Sequence, residues 1–176
     1  MDVQGVFRIK TIACIFLLLA GFSAALRAET PGEVGVGQQL REARLDGLLR
    51  SGNRLSDFRG KPLIINVWAS WCGPCRAEMG SLERLAGRFN GRAFNVVGIS
   101  TDDDRSAAEA FLKYAKVTFP NYIDHQLVLE NMLGANRIPL TILVAADGRV
   151  LGKVEGARAW DSPKSLDFIA ATFALH

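Results

Sequence analysis

The sequence predicts an α/β or α+β sandwich with a mixed central sheet, and three observations carry that prediction. Leu63 to Ala69 is a near-continuous apolar, β-branched run, as expected of a central strand covered on both faces. Segments with apolar residues at helical spacing then alternate with further strand-like runs. Near the end, two apolar runs flank Ala145-Ala146-Asp147-Gly148, where Asp-Gly is a strong hairpin signal, and a final helical segment follows.

The chain has 176 residues, 49% hydrophobic and 22% charged, which suits one good core and is too short for two ordinary domains. Its net charge is only +3, with Lys and Arg scattered rather than gathered into a stripe, so nucleic acid is not an expected partner. There are no internal repeats and no low-complexity tract.

Arg8 and Lys10 precede an uncharged stretch from Thr11 to Leu26, closed by Arg27, with small residues at Ser23, Ala24, Ala25 and Ala28. That order is the order of an export signal, and the stretch is shorter than the roughly 20 residues that span a bilayer comfortably. Residues 1–28 are therefore read as a signal peptide cut after Ala25 or Ala28, with an uncut N-terminal membrane anchor as the competing reading, and residues 29–176 as the folded domain. Loss of the first 28 residues would leave a net charge of +1 and remove Cys14, so that Cys72 and Cys75 become the whole thiol inventory.

Residues 29 to 53 read as an extended lead-in with one short strand or hairpin ending near Gly52-Asn53. After the Leu63 strand, Met79, Leu82, Leu85, Ala86 and Phe89 recur at helical spacing until Asn90-Gly91 stops the pattern. Ala93 to Ser100 reads as a second buried strand, and Ala107 to Ala115 as a second helix opened by a Ser106/Glu109 capping box. Phe119-Pro120 breaks the chain; Asn121 to Asp124 predicts a short strand, and Val128 to Leu133 a short helix stopped by Gly134. Pro139 to Val144 and Arg149 to Val154 should pair antiparallel. Ser162-Pro163 opens a closing helix that carries Leu166, Ile169, Ala170 and Phe173.

The chemistry lies where the central strand hands over to the first helix, at Trp71-Cys72-Gly73-Pro74-Cys75. Unpaired amides and the helix dipole at such a point stabilise a thiolate, which suits a cysteine pair to disulfide exchange. Cys72 is the expected attacker at the exposed lip, and Cys75, inside the first turn, the expected resolver. Pro74 suits a helix start, and Gly73 permits the tight turn between the sulfurs. Two other readings are weaker. Structural zinc needs about four ligands, and beyond this pair the chain offers only His125 and His176. A purely structural disulfide closing so short a ring would contribute only ~2 kcal/mol. His125, between a strand and a helix, is expected to be an exposed loop residue.

Leu55-Ser-Asp-Phe-Arg-Gly-Lys-Pro, Ile65-Asn-Val-Trp-Ala-Ser-Trp-Cys-Gly-Pro-Cys-Arg-Ala-Glu-Met, Thr118-Phe-Pro, Ile138-Pro-Leu-Thr-Ile-Leu-Val and Ala146-Asp-Gly-Arg-Val resemble the exported TlpA/ResA branch of the thioredoxin superfamily. The resemblance runs over roughly residues 35 to 175. It implies a thioredoxin-like three-layer α/β sandwich, a central mixed sheet flanked by helices, with an inserted segment between the second strand and Pro139. It implies that Pro139 follows a cis peptide bond, that Ile138 pairs with substrate backbone, and that Trp71 is the aromatic beside the disulfide, while Trp68 belongs to the core. Three positions depart from the pattern. Asn66 stands where cytoplasmic thioredoxins carry a buried aspartate that helps deprotonate the resolving cysteine. This makes Asp102 and Asp103, in the run Asp102-Asp103-Asp104, candidates for a proton relay, against the simpler reading that the run solvates a loop and caps the next helix. Gly80 replaces a helix-kinking proline, and Leu140 a threonine.

The function expected from these features is that of a periplasmic thiol-disulfide oxidoreductase, with no cofactor beyond the Cys72–Cys75 pair. Gly-Pro between the cysteines favours reduction by resemblance. The expected partners are disulfide-bearing exported proteins, with apocytochrome c implied by the family, and a membrane thiol-electron donor. A peroxiredoxin-like peroxidase is a second reading, weakened by Ala69 where that family places a threonine. A non-catalytic docking or haem-handling protein that keeps the fold is a third.

Overall fold

The computed structural model describes residues 31–175. The expected signal or anchor segment, Cys14 and His176 lie outside them. Among the described residues, no helix is long and apolar enough to cross a membrane.

Seven strands form one mixed sheet: β1 (Arg44–Gly47), β2 (Asn53–Arg54), β3 (Leu63–Trp68), β4 (Asn95–Ser100), β5 (Asn121–Ile123), β6 (Leu140–Val144) and β7 (Val150–Glu155). Their order across the sheet is β2-β1-β5-β4-β3-β6-β7. β3 lies parallel to β4 and antiparallel to β6, and all six of its residues are buried, as its unbroken apolar sequence requires. Among the described residues the α-helices are α1 (Gly73–Phe89), α2 (Arg105–Tyr114), α3 (Val128–Leu133) and α4 (Pro163–Phe173). The segment between β4 and Pro139 holds α2, β5 and α3.

Alternation along β3 sorts the core into two layers. Ile64 and Trp68 face a cluster with Cys75, Met79 and Leu82 of α1, Phe111 of α2 and Ile169 of α4. Leu63, Ile65 and Val67 face the opposite cluster with Leu129, Met132 and Leu133 of α3. Trp68 is fully buried, with its indole N–H on Asn121 Oδ1 at 2.9 Å and its ring 5.4 Å from that of Phe111.

The lead-in carries the β1–β2 hairpin, and before it residues 37–40 lie along β7, with Gly37 N–H on Val150 O and Val150 N–H on Gln38 O. The outer edge of the sheet is thereby partly covered. Gly148 in the β6–β7 turn has φ +89°, the left-handed region that favours glycine, and an added Cβ would displace the Arg59 guanidinium.

One local expectation is corrected. α2 begins at Arg105, not Ala107, and its N-cap is Asp104, whose Oδ1 accepts from Ser106 N–H at 2.8 Å and the Ser106 hydroxyl at 2.6 Å. Asp104 outcompetes the Ser106/Glu109 box because a carboxylate two residues upstream is the stronger acceptor. Glu109 instead lies between Arg105 and Lys113 on the helix surface.

Leu82 packs α1 against the sheet with no exposed surface. Leu82→Ala is expected to cost about 2–5 kcal/mol, read as a lower urea midpoint at unchanged denaturant slope.

Candidate active site

The site begins with the last residue of β3. After Trp68 the chain turns through Ala69 and Ser70, and Cys72 N–H closes the turn on Ala69 O at 3.1 Å. Asp102, just beyond the neighbouring β4, holds this turn. Its carboxylate accepts from Ser70 N–H at 2.9 and 3.1 Å, from the Ser70 hydroxyl at 2.6 Å and from the Ser100 hydroxyl at 2.7 Å. Asp102 is buried and occupied by these donors, whereas Asp103 is exposed.

Cys72 is the N-cap of α1, and its Sγ accepts from Cys75 N–H at 3.2 Å. Cys72 and Cys75 form a disulfide, with Cα atoms 5.3 Å apart. Pro74 sits in the first turn, where its missing N–H costs nothing. Cys72 retains 6% exposure and Cys75 none, while Trp71 beside them is 70% exposed. The loop before β6 faces the pair: Ile138 O is 3.8 Å from Cys72 Sγ, and the Ile138–Pro139 bond is cis, as the resemblance implied. Gly156 N–H ties that loop to β7 through Pro139 O at 2.9 Å. His125 is exposed in the β5–α3 loop.

One turn after Cys75 on α1 lies a buried carboxylate that the sequence reading did not single out. Glu78, three residues on and therefore on the same face of α1, is 2% exposed. Asn66 Nδ2 of β3 donates to its Oε1 at 2.8 Å and to Thr141 Oγ1 of β6 at 3.0 Å. Arg158 N–H and the Trp160 indole N–H both donate to Oε2 at 2.9 Å. Asn66 Oδ1 is buried without a hydrogen-bond partner. Burial pushes the Glu78 carboxyl above its usual range, against the pull of Arg158, Asn66 and Trp160, which favour the charged form. The signal was present: Glu78 interrupts the apolar stripe of Cys75, Met79 and Leu82, where a carboxylate has to be buried and partnered.

Among the described residues, no three His, Cys, Asp or Glu side chains gather as metal ligands. The arrangement suits thiol chemistry: a cysteine pair at a helix start, an open face in front and an ionisable group behind.

The Redoxin family profile matches residues 36–167. The chain belongs to the Redoxin family. This Redoxin chain is 29% identical over 145 residues to the thiol-disulfide oxidoreductase ResA of Geobacillus thermodenitrificans, covering 81% of this chain and 83% of that one. The ResA of Oceanobacillus iheyensis is 24% identical, covering 90% and 82%. Among solved structures, a putative thiol:disulfide interchange protein DsbE from Chlorobium tepidum superposes with a TM-score of 0.73 at 26% identity, covering 80% of this chain and 99% of that one. A secreted Mycobacterium tuberculosis disulfide oxidoreductase gives a TM-score of 0.64 at 26% identity, covering 74% and 96%. The thioredoxin-like fold follows, and with the Cys72–Cys75 pair the chain is a thiol-disulfide oxidoreductase.

The raised Glu78 carboxyl has a consequence for stability. Between its ordinary value of 4.5 and its higher folded value, the native protein binds a proton that the unfolded chain has released. Stability therefore grows as pH falls through that window and is lost as pH rises through the folded value. Glu78→Gln is expected to abolish this slope, measured by urea denaturation at a series of pH values from about 4.5 to neutrality.

Proposed function

We propose that the protein reduces disulfides in exported proteins, with Cys72 as the attacking thiol and Cys75 as the resolving one. The observation that carries this reading is the asymmetry of the pair: Cys72 keeps an exposed edge between Trp71 and the Ile138–Pro139 loop, and Cys75 has none. A partner disulfide can reach only Cys72.

In the reduced protein, Cys72 is the thiolate, stabilised by the amides and dipole at the start of α1. It attacks one sulfur of the partner disulfide, forming a mixed disulfide and releasing the partner's other sulfur as a thiolate, which takes up a proton. Cys75 then gives its proton to Glu78 and attacks Cys72 Sγ. The Cys72–Cys75 disulfide forms, and the partner's second sulfur leaves as a thiolate. Two electrons pass from the protein to the partner, and no cofactor takes part. A cleft of about 330 Å³ between α1 and residues 157–159 is lined in part by Glu78, and in this reading the proton leaves through it. Ile138, beside Cys72, offers backbone groups to an extended partner, and Trp71 offers an apolar platform. Asp102 acts by fixing the turn that presents Cys72, through its bonds to the Ser70 N–H and hydroxyl, with the Ser100 hydroxyl holding the carboxylate in place.

Export is supported by the charge and apolar order of residues 1–28 and by the secreted relative from Mycobacterium tuberculosis. Apocytochrome c, whose thiols must stay reduced for haem attachment, is the partner that the family resemblance favours, and a membrane thiol donor would return the pair to the dithiol.

Cys75→Ser should trap mixed disulfides between Cys72 and exported proteins, identified by mass spectrometry after non-reducing capture, and Cys72→Ser should trap none. Absence of any trapped partner would defeat the reading. The reduction potential of the pair should lie well below the strongly oxidising value of about −120 mV typical of a disulfide-forming catalyst; a potential near that value would reverse the direction.

A further inference from the structure

We propose that Trp160 is a positioning residue of the exchange reaction: its indole N–H fixes the Glu78 carboxylate on the Cys75 face of α1, ready to accept the resolving thiol's proton. The proposal rests on the role given above to Glu78, and it places a reaction-tuning group 85 residues beyond Cys75, in the loop between β7 and α4.

Trp160 is wholly buried, and a buried indole N–H needs an acceptor. Here the acceptor is a buried carboxylate oxygen rather than a backbone carbonyl. The indole is held at its other end too, because Trp160 backbone N–H donates to Ser81 Oγ at 3.0 Å. Ser81 lies three residues after Glu78 on α1, with its hydroxyl 2.7 Å from Glu78 O and 3.1 Å from Arg158 O. One turn further on, Arg84 Nε meets Asp161 Oδ2 at 2.5 Å. Glu78, Ser81 and Arg84 thus form one row on α1 that clasps residues 158–161, and Trp160 is the clasped residue whose side chain reaches back to Glu78. The other carboxylate oxygen is held from the sheet by Asn66. With one oxygen fixed from β3 and the other shared by the Arg158 N–H and the Trp160 indole N–H of the β7–α4 loop, the carboxylate keeps one orientation, and the indole is the side-chain donor of that set. A donor to the ionised form also opposes the effect of burial, keeping Glu78 a base at higher proton concentration than it would otherwise tolerate.

Trp160→Phe removes the donor and keeps most of the ring. The test follows two rates with a disulfide-bridged peptide as partner: mixed-disulfide formation, read in the Cys75→Ser background, and its resolution, read with both cysteines present, each across pH. Trp160→Phe is expected to leave formation within about twofold and, because Arg158 N–H still holds the same oxygen, to move the acid limb of resolution up by roughly half a pH unit, about a threefold slowing at pH values below the limb. In the Glu78→Gln background, Trp160→Phe should change resolution no further. If Glu78→Gln abolishes the limb while Trp160→Phe leaves it in place, the positioning role is refuted and the role of Glu78 stands. If Glu78→Gln itself leaves the profile unchanged, both fall. Should Trp160→Phe fail to fold, the indole N–H resonance of Trp160 in the unaltered protein decides: a chemical shift that titrates at the midpoint of the limb supports the proposal, and a pH-independent one overturns it.

Discussion

The passage of a fully buried strand into the first turn of a helix is the constraint on which this structure depends. β3 is held on one side by β4 and on the other by β6, so the point where it ends is fixed by the whole sheet. The turn that follows is held by Asp102 from the next strand, and the chain enters α1 with a cysteine as its N-cap. A helix start leaves amide groups without internal partners, and a sulfur placed there is the group they can serve. Moving Cys72 by one residue would take it out of reach of those amides and away from the loop at Ile138.

Two buried acids divide the work of the site. Asp102 binds both the N–H and the hydroxyl of Ser70, so it braces the backbone that carries Cys72. Glu78 is held from three elements: β3 through Asn66, the β7–α4 loop through Arg158 and Trp160, and α1 itself. A carboxyl so enclosed is costly to ionise, and the donors around it offset that cost. This puts an ionisable group one turn after Cys75 although the neighbouring strand position is Asn66 and not an acid.

How much of this was legible in the sequence follows from the kind of signal each element sends. β3, the hairpin at Asp147-Gly148 and the apolar stripe of α1 announce themselves because burial on both faces, a positive-φ turn and a 3.6-residue period each leave a local trace. The cysteine pair was equally plain. Glu78 was missed because it reads as one polar residue among Arg76, Glu83 and Arg84; its partners Asn66, Trp160 and Arg158 lie 12 to 82 residues away and meet only through the sheet. The acidic run Asp102-Asp103-Asp104 drew attention as a unit, yet its members part company in space: one braces the turn, one is exposed, and one caps α2. Choosing between Asp104 and Ser106 as the cap depended on a shift of two residues in the helix start, which periodicity alone does not resolve.

Two sulfurs only three residues apart differ in exposure: Cys72 keeps an edge at the surface and Cys75 is sealed, which in the proposed reaction makes Cys72 the attacking thiolate and leaves Cys75 to react with its neighbour. Site-resolved alkylation of the reduced, folded protein near neutral pH, with each cysteine quantified by peptide mass spectrometry, tests it most directly. The proposed reaction requires Cys72 to be modified at least about tenfold faster than Cys75, because Cys72 keeps an exposed edge at the helix start and Cys75 has none. Equal rates at the two positions, or faster modification of Cys75, would contradict it.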